Sequence, residues 1–180
     1  ILVEALAAMK RAGTLGNAHA VFVGLRMSDL LPRAKELGVA DHVTLIEELG
    51  HDSNDREYRI PSAPLVELYK SVDACAFPSL IETFAMINIE AMAAGIPVIS
   101  TDAPGCIETI NDEIDGLIAK AGDPIDLARK MEQLQNSTDL QAKLGAAGQE
   151  SVRNLFSWDV VGRQFEDLYL YLTSGSNHNS

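Results

Sequence analysis

Pro78-Ser79-Leu80-Ile81-Glu82-Thr83-Phe84-Ala85-Met86-Ile87-Asn88-Ile89-Glu90-Ala91-Met92-Ala93-Ala94-Gly95-Ile96-Pro97-Val98-Ile99-Ser100-Thr101 is the run of sequence that decides this fold. Just before it, residues 74–77 form a short apolar run closed by Pro78, the pattern of a buried strand. After a loop, residues 84–94 read as a helix ended by Gly95, and residues 97–100 as the next strand. Ala85, Ala91, Ala93, Ala94 and Gly95 are small enough to let that helix pack close to a sheet. In an open α/β sheet, ligands sit outside the carboxyl ends of the strands. The helix start near Phe84 therefore lies on the ligand edge. Its free amides and positive dipole end suit an anion such as a diphosphate.

Outward from this segment the same alternation continues. Residues 1–12 read as a helix ended by Gly13, 18–23 as a strand stopped by Gly24, and 43–46 as another strand. Between them, residues 29–37 carry Leu30, Leu31, Ala34 and Leu37 on one helical face. Residues 50–64 are polar and read as a long loop. A helix follows over 65–72. Beyond the central segment come a fifth strand at 116–119 and helices at 124–134, 139–152 and 158–172. The expected fold is α/β, a Rossmann-like doubly wound parallel sheet. It forms a single domain over 1–173, with a disordered tail at 174–180.

The chain has 180 residues, 47% hydrophobic and 22% charged, with a net charge of −12. That balance argues against a nucleic-acid partner, which phosphate contacts would make basic. Cys75 and Cys106 lack metal-binding spacing; Cys75 reads as core, and Cys106 lies in a Pro-Gly loop. No apolar run reaches the roughly 18 residues of a membrane span, and no secretory signal is visible, so the cytoplasm is the expected compartment. The chain opens at Ile1 directly into a helical pattern with no cap, which reads as a fragment of a larger protein.

Two carboxylates flank the start of the central helix. Glu82 lies in the loop before it, and Glu90 lies inside it, about 9 Å farther along the axis. That distance is too great for one acid/base pair. It suits two ends of a ligand lying along the helix, a sugar at one and a ribose at the other, because a carboxylate can accept from two vicinal hydroxyls. Periodicity alone leaves a plainer account open: Thr83 as the N-cap, Glu82 complementing the dipole, and Glu90 on a surface face. The apolar run around Glu90 argues for a charge that needs a partner or a ligand.

The segment resembles the Glu-x7-Glu signature of the retaining glycosyltransferases of the GT-B fold numbered family four. Glu82 matches the first Glu, Phe84 the Phe, and Glu90-Ala91-Met92-Ala93-Ala94-Gly95 the second Glu and its sequel, followed by Pro97-Val98-Ile99. Val21-Phe22-Val23-Gly24, Leu37-Gly38-Val39-Ala40-Asp41-His42-Val43, Leu68-Tyr69-Lys70-Ser71-Val72-Asp73-Ala74 and Phe156-Ser157-Trp158 extend the similarity over nearly the whole chain. The resemblance implies the C-terminal, donor-binding half of such an enzyme, acting on a UDP- or GDP-sugar without a metal or other cofactor. Glu82 would hold a donor-sugar hydroxyl and stabilise charge at the anomeric carbon. The amides of Phe84 and Ala85 would face the sugar, and those of Met86 and Ile87 the diphosphate. Glu90 would bind the ribose, the backbone near Leu49 the base, and Gly24 would leave room for the nucleotide. The acceptor, a glycan, lipid or small molecule, would sit on an N-terminal half, which in this family also carries any peripheral membrane contact. A non-catalytic module of the same fold, binding a nucleotide sugar or a partner, is the alternative.

The sequence departs from the family pattern in three places. The family's basic Arg and Lys pair lies on and just after a first strand that would precede Ile1. That strand is central in the 3-2-1-4-5-6 order, so the sheet should show a gap, and this chain alone should turn over little or nothing. Arg26, Arg56 and Lys120 are the basic residues nearest the site. Ala85 replaces a glycine and Asn88 an apolar residue. The loop 50–64 is long, and its His51, Asp52 and Asp55 read as solvated rather than metal-binding.

Overall fold

The computed structural model describes residues 1–49 and 61–174; residues 50–60, with His51, Asp52, Asp55 and Arg56, and residues 175–180 lie outside the described residues. In chain order the elements are α1 (Leu2–Ala12), β1 (Ala20–Val23), α2 (Leu31–Glu36), β2 (Val43–Ile46), α3 (Ala63–Ser71), β3 (Cys75–Ala76), α4 (Met86–Ala93), β4 (Val98–Thr101), β5 (Leu117–Ala119), α5 (Pro124–Gln135), α6 (Thr138–Leu155) and α7 (Trp158–Ser174). The helix expected over 29–37 divides: a tight 3-10 turn spans Met27–Leu30, and α2 starts with Pro32 in its first turn, where a missing N–H costs nothing.

All strand pairs are parallel. Ala20 lies opposite Val43, Cys75 opposite Val98, and Ile99 opposite Leu117. The sheet comes in two hydrogen-bonded pieces, β1-β2 and β3-β4-β5. Laid on the doubly wound order, β2 and β1 take positions 3 and 2, and β3, β4 and β5 take positions 4, 5 and 6. No described residue forms a strand at position 1, between β1 and β3. The sequence led to this break. Gly24 N–H donates to Ile46 O at 3.0 Å, and Cys75 and Phe77 N–H donate to Pro97 O and Ile99 O. Peptide groups alternate sides along a strand, so those of Val21, Val23 and Ala76 point toward the break. β3, paired on one side, has two residues where 74–77 were expected.

Helices cover both faces. On one, Val3, Leu6 and Met9 of α1 and Leu127 and Leu134 of α5 pack with Ile99 and Leu117 of the sheet. On the other, Tyr69 of α3 and Ala91 and Met92 of α4 pack with Val98 and Ile110. β4 is buried along its whole length and alternates between the two cores: Ile99 faces α1 and α5, while Val98 and Ser100 face α4. That geometry brings the start of α4 to the carboxyl end of β3 and β4. Among the described residues, no helix is long and apolar enough to cross a membrane.

Candidate functional site

Helix α4 begins at Met86, two residues later than the sequence suggests, and Thr83 is not its cap. Ala85 is the N-cap residue, at φ 43° and ψ 54°, and no side chain caps the helix. The left-handed conformation at Ala85 interrupts the helical path, so Phe84 and Ala85 belong to the approach. Met86 and Ile87 occupy the first turn, where amides have no acceptor within the helix. Glu82 sits in the approach loop. Its carboxylate accepts from Ser79 Oγ at 3.0 Å, and its N–H donates to Pro104 O at 3.0 Å. Gly105, at φ 77°, presses on this loop so closely that a Cβ there would lie 2.2 Å from Glu82 O. The loop after β4 thus sets the height of Glu82 over the sheet.

Glu90 lies on the second turn of α4, half-buried. Tyr69 Oη of α3 donates to Glu90 Oε2 at 3.2 Å. Burial pushes the Glu90 carboxyl above the usual carboxylate range, and the Tyr69 hydroxyl partly opposes that. Burial also raises the Tyr69 phenol, with Cys75 and Glu90 adding to the effect, and lifts the Cys75 thiol to about 11, with Glu90 contributing. Tyr69 and Cys75 therefore stay neutral and protonated beside the Glu90 carboxylate. The sequence offered Tyr69 only as part of a helix; its link to Glu90 joins positions 21 apart.

The remaining expected site residues lie at the carboxyl ends of β1 and β2. Gly24 follows β1 at φ 143°, a conformation that by itself favours glycine; a Cβ there would meet Met27 Cε at 3.6 Å, ordinary contact. Leu49 lies just past β2 and is half-buried. Beside them Glu47, unflagged by the sequence, accepts from the amides of Arg26 and Ser28, each at 2.7 Å. The Ser28 hydroxyl, together with the amides of Ser28, Arg26 and Met27, holds its carboxyl below the usual range. Of the expected cations, Arg26 is engaged by Asp29 at 2.7 Å, and Lys120 is exposed past β5. Among the described residues no group of three His, Cys, Asp or Glu side chains could hold a metal ion.

Two features escape a reading of the sequence. Asn88, fully buried, donates through Nδ2 to Ser100 Oγ and Thr109 Oγ1, each at 3.0 Å, while Thr109 Oγ1 donates to Cys106 O. Its Oδ1 is buried without a partner. Asn88 thus ties the first turn of α4 to β4 and to the loop carrying Gly105. The second feature is an apolar cavity of about 320 Å³ between α4 and α7, lined by Phe84, Met86, Ile89, Phe156, Trp158 and Val161. Phe84 and Phe156 meet edge to face, with centroids 5.9 Å apart at 76°.

Comparison with known proteins agrees with this fold. Residues 1–151 match the family model "Glycosyl transferases group 1". A D-inositol 3-phosphate glycosyltransferase of Salinispora tropica is 30% identical over 144 residues, 80% of this chain and 27% of that protein. The sucrose-phosphate synthase structure from Thermosynechococcus elongatus superposes with a TM-score of 0.76 at 25% identity, covering 97% of this chain and 43% of that one. The Anabaena HepE structure in complex with UDP superposes with a TM-score of 0.78 at 21% identity, covering 94% of this chain and 44% of that one. The chain thus spans less than half the length of each of these proteins. A parallel α/β sheet with Glu82 before and Glu90 after the uncapped start of α4, together with a family match over residues 1–151, places this chain in the glycosyl transferases group 1 family.

Proposed function

We propose that this chain is the donor-binding half of a retaining glycosyltransferase, which moves a sugar from a nucleotide-diphosphate sugar to an acceptor held by a second domain. The observation that carries the reading is the placement of Glu82 and Glu90 on either side of the uncapped start of α4. The Met86 and Ile87 amides would meet the diphosphate, and charge developing on the leaving group would be stabilised by these fixed dipoles. Glu82 would accept from a sugar hydroxyl and stabilise positive charge at the anomeric carbon as the bond to the diphosphate breaks. Glu90 would accept from the ribose hydroxyls, and the backbone about Leu49 and Gly24 would bound the nucleotide. In this reading the diphosphate's charge falls to amides and to basic side chains of a strand between β1 and β3, without a metal. The Anabaena neighbour holds UDP, which makes a uridine donor the first to try. The exposed apolar residues of α7, Trp158, Phe165, Leu168 and Tyr169, would face the second domain. The compartment that fits is the cytoplasm.

Calorimetric titration with UDP and GDP tests this directly. One of the two should bind, and Glu90→Ala should weaken it by about 1–3 kcal/mol, the scale of hydrogen bonds to a charged group. Equal affinity in the variant would remove the ribose role.

A further inference from the structure

We infer that Tyr69 is a positioning residue for Glu90: its hydroxyl, donating to Oε2 at 3.2 Å, fixes the carboxylate so that it presents its remaining acceptor sites to the vicinal hydroxyls of a ribose. The inference rests on the ribose role of Glu90. Tyr69 is well placed for it because it is 6% exposed and packed among Ala91, Met92 and Val98, so its ring does not swing. An ionised carboxylate has about four lone-pair sites. One bond from Tyr69 occupies a single site on Oε2, and Oε1 accepts from no described residue. Enough acceptor capacity remains for both ribose hydroxyls, and the side chain is ordered before the ligand arrives.

The neighbourhood keeps the arrangement simple. Among the described residues, the titratable groups that face Glu90 are the Tyr69 phenol from α3 and the Cys75 thiol from β3, both raised and therefore neutral. Helix α6 meets α4 through uncharged Gly148 against Met92 and Gln149 on Ala93 O, and β4 meets it through Ser100 on Asn88. Burial favours the protonated acid at Glu90, while the Tyr69 hydroxyl favours the carboxylate. A ribose needs the carboxylate as acceptor, so affinity should be lost as pH falls through the Glu90 pKa. Deleting the hydroxyl should raise that pKa and move the loss to higher pH.

The test titrates UDP, GDP and their 2′-deoxy forms into the full chain and into Tyr69→Phe and Glu90→Ala, over a range of pH. Tyr69→Phe should weaken the ribonucleotide by about three- to ten-fold, as for one hydrogen bond. It should move the acid limb of binding to higher pH and narrow the preference for ribose over 2′-deoxyribose. A variant that is less stable to urea but keeps the limb and the preference would show packing alone and overturn the inference. Without any substitution, NMR of the Tyr69 ring should follow the Glu90 titration with the midpoint at which affinity is lost; a ring signal indifferent to it would also overturn the inference. If Glu90→Ala binds as tightly as the parent, the ribose reading itself fails. If Glu90→Ala weakens binding and Tyr69→Phe leaves everything unmoved, the positioning role alone fails.

Discussion

Ala85 holds φ 43°, a conformation that favours glycine. An L-residue in this region is strained by about 1–2 kcal/mol. Glycine would relieve that strain, but it would add roughly 0.5–1 kcal/mol of chain entropy and lose a buried methyl worth about 0.8 kcal/mol. These effects nearly cancel, which explains how alanine is tolerated here. Ala85→Gly should therefore leave the urea midpoint almost unchanged, while Ala85→Val, β-branched at positive φ, should cost about 2 kcal/mol or more. A valine variant as stable as the parent would mean that the approach to α4 has another conformation open to it. The left-handed turn was legible in the sequence only as a condition, because a residue name does not fix its backbone angle. Asn88 was less legible still: its partners Ser100 and Thr109 are brought to it by β4 and the loop beyond, and nothing local announces them.

Among the elements, α4 was the most legible, since strand, loop and helix each carry their own local signal and Glu82 and Glu90 fall on either side of its start. Its start was misplaced by two residues because the sequence pattern reports apolar spacing, not the turn that admits the chain to the helix. The turn between β1 and α2 was illegible for a different reason. It is closed from a distance by Glu47, at the end of β2, through the amides of Arg26 and Ser28. Because these contacts hold the Glu47 carboxyl below its unfolded range, its contribution to stability is present above the unfolded pKa and disappears as pH falls through the folded one. Glu47→Gln should thus be less stable than the parent near neutral pH and equal to it in strong acid. Urea unfolding across that range would show the two curves converge. A constant difference would mean that the carboxylate's charge plays no part in closing the turn.

At the scale of the molecule, the order of elements was legible down to the break in the sheet. What the sequence could not show is how the two halves meet across it, because the two facing strands, β1 and β3, are not hydrogen-bonded to each other. The peptide groups of Val21, Val23 and Ala76 point into the break, whereas β4 is paired on both sides. The strands on either side of the break are only partly buried, and a strand from a longer polypeptide that entered there would pair these backbone groups and cover them. In the proposed reading that strand would also bring basic side chains beside the diphosphate, in a chain of net charge −12. Hydrogen exchange separates the possibilities. In this chain alone the amides of Val21, Val23 and Ala76 should exchange far faster than those of Ile99 and Ser100. In a polypeptide that supplies the strand, they should slow toward the rate of β4, and nucleotide affinity should rise with them. If Val21 and Val23 are already as protected as Ile99 in this chain, another segment or a second copy fills the break. The diphosphate's cations would then have to come from somewhere other than an added strand.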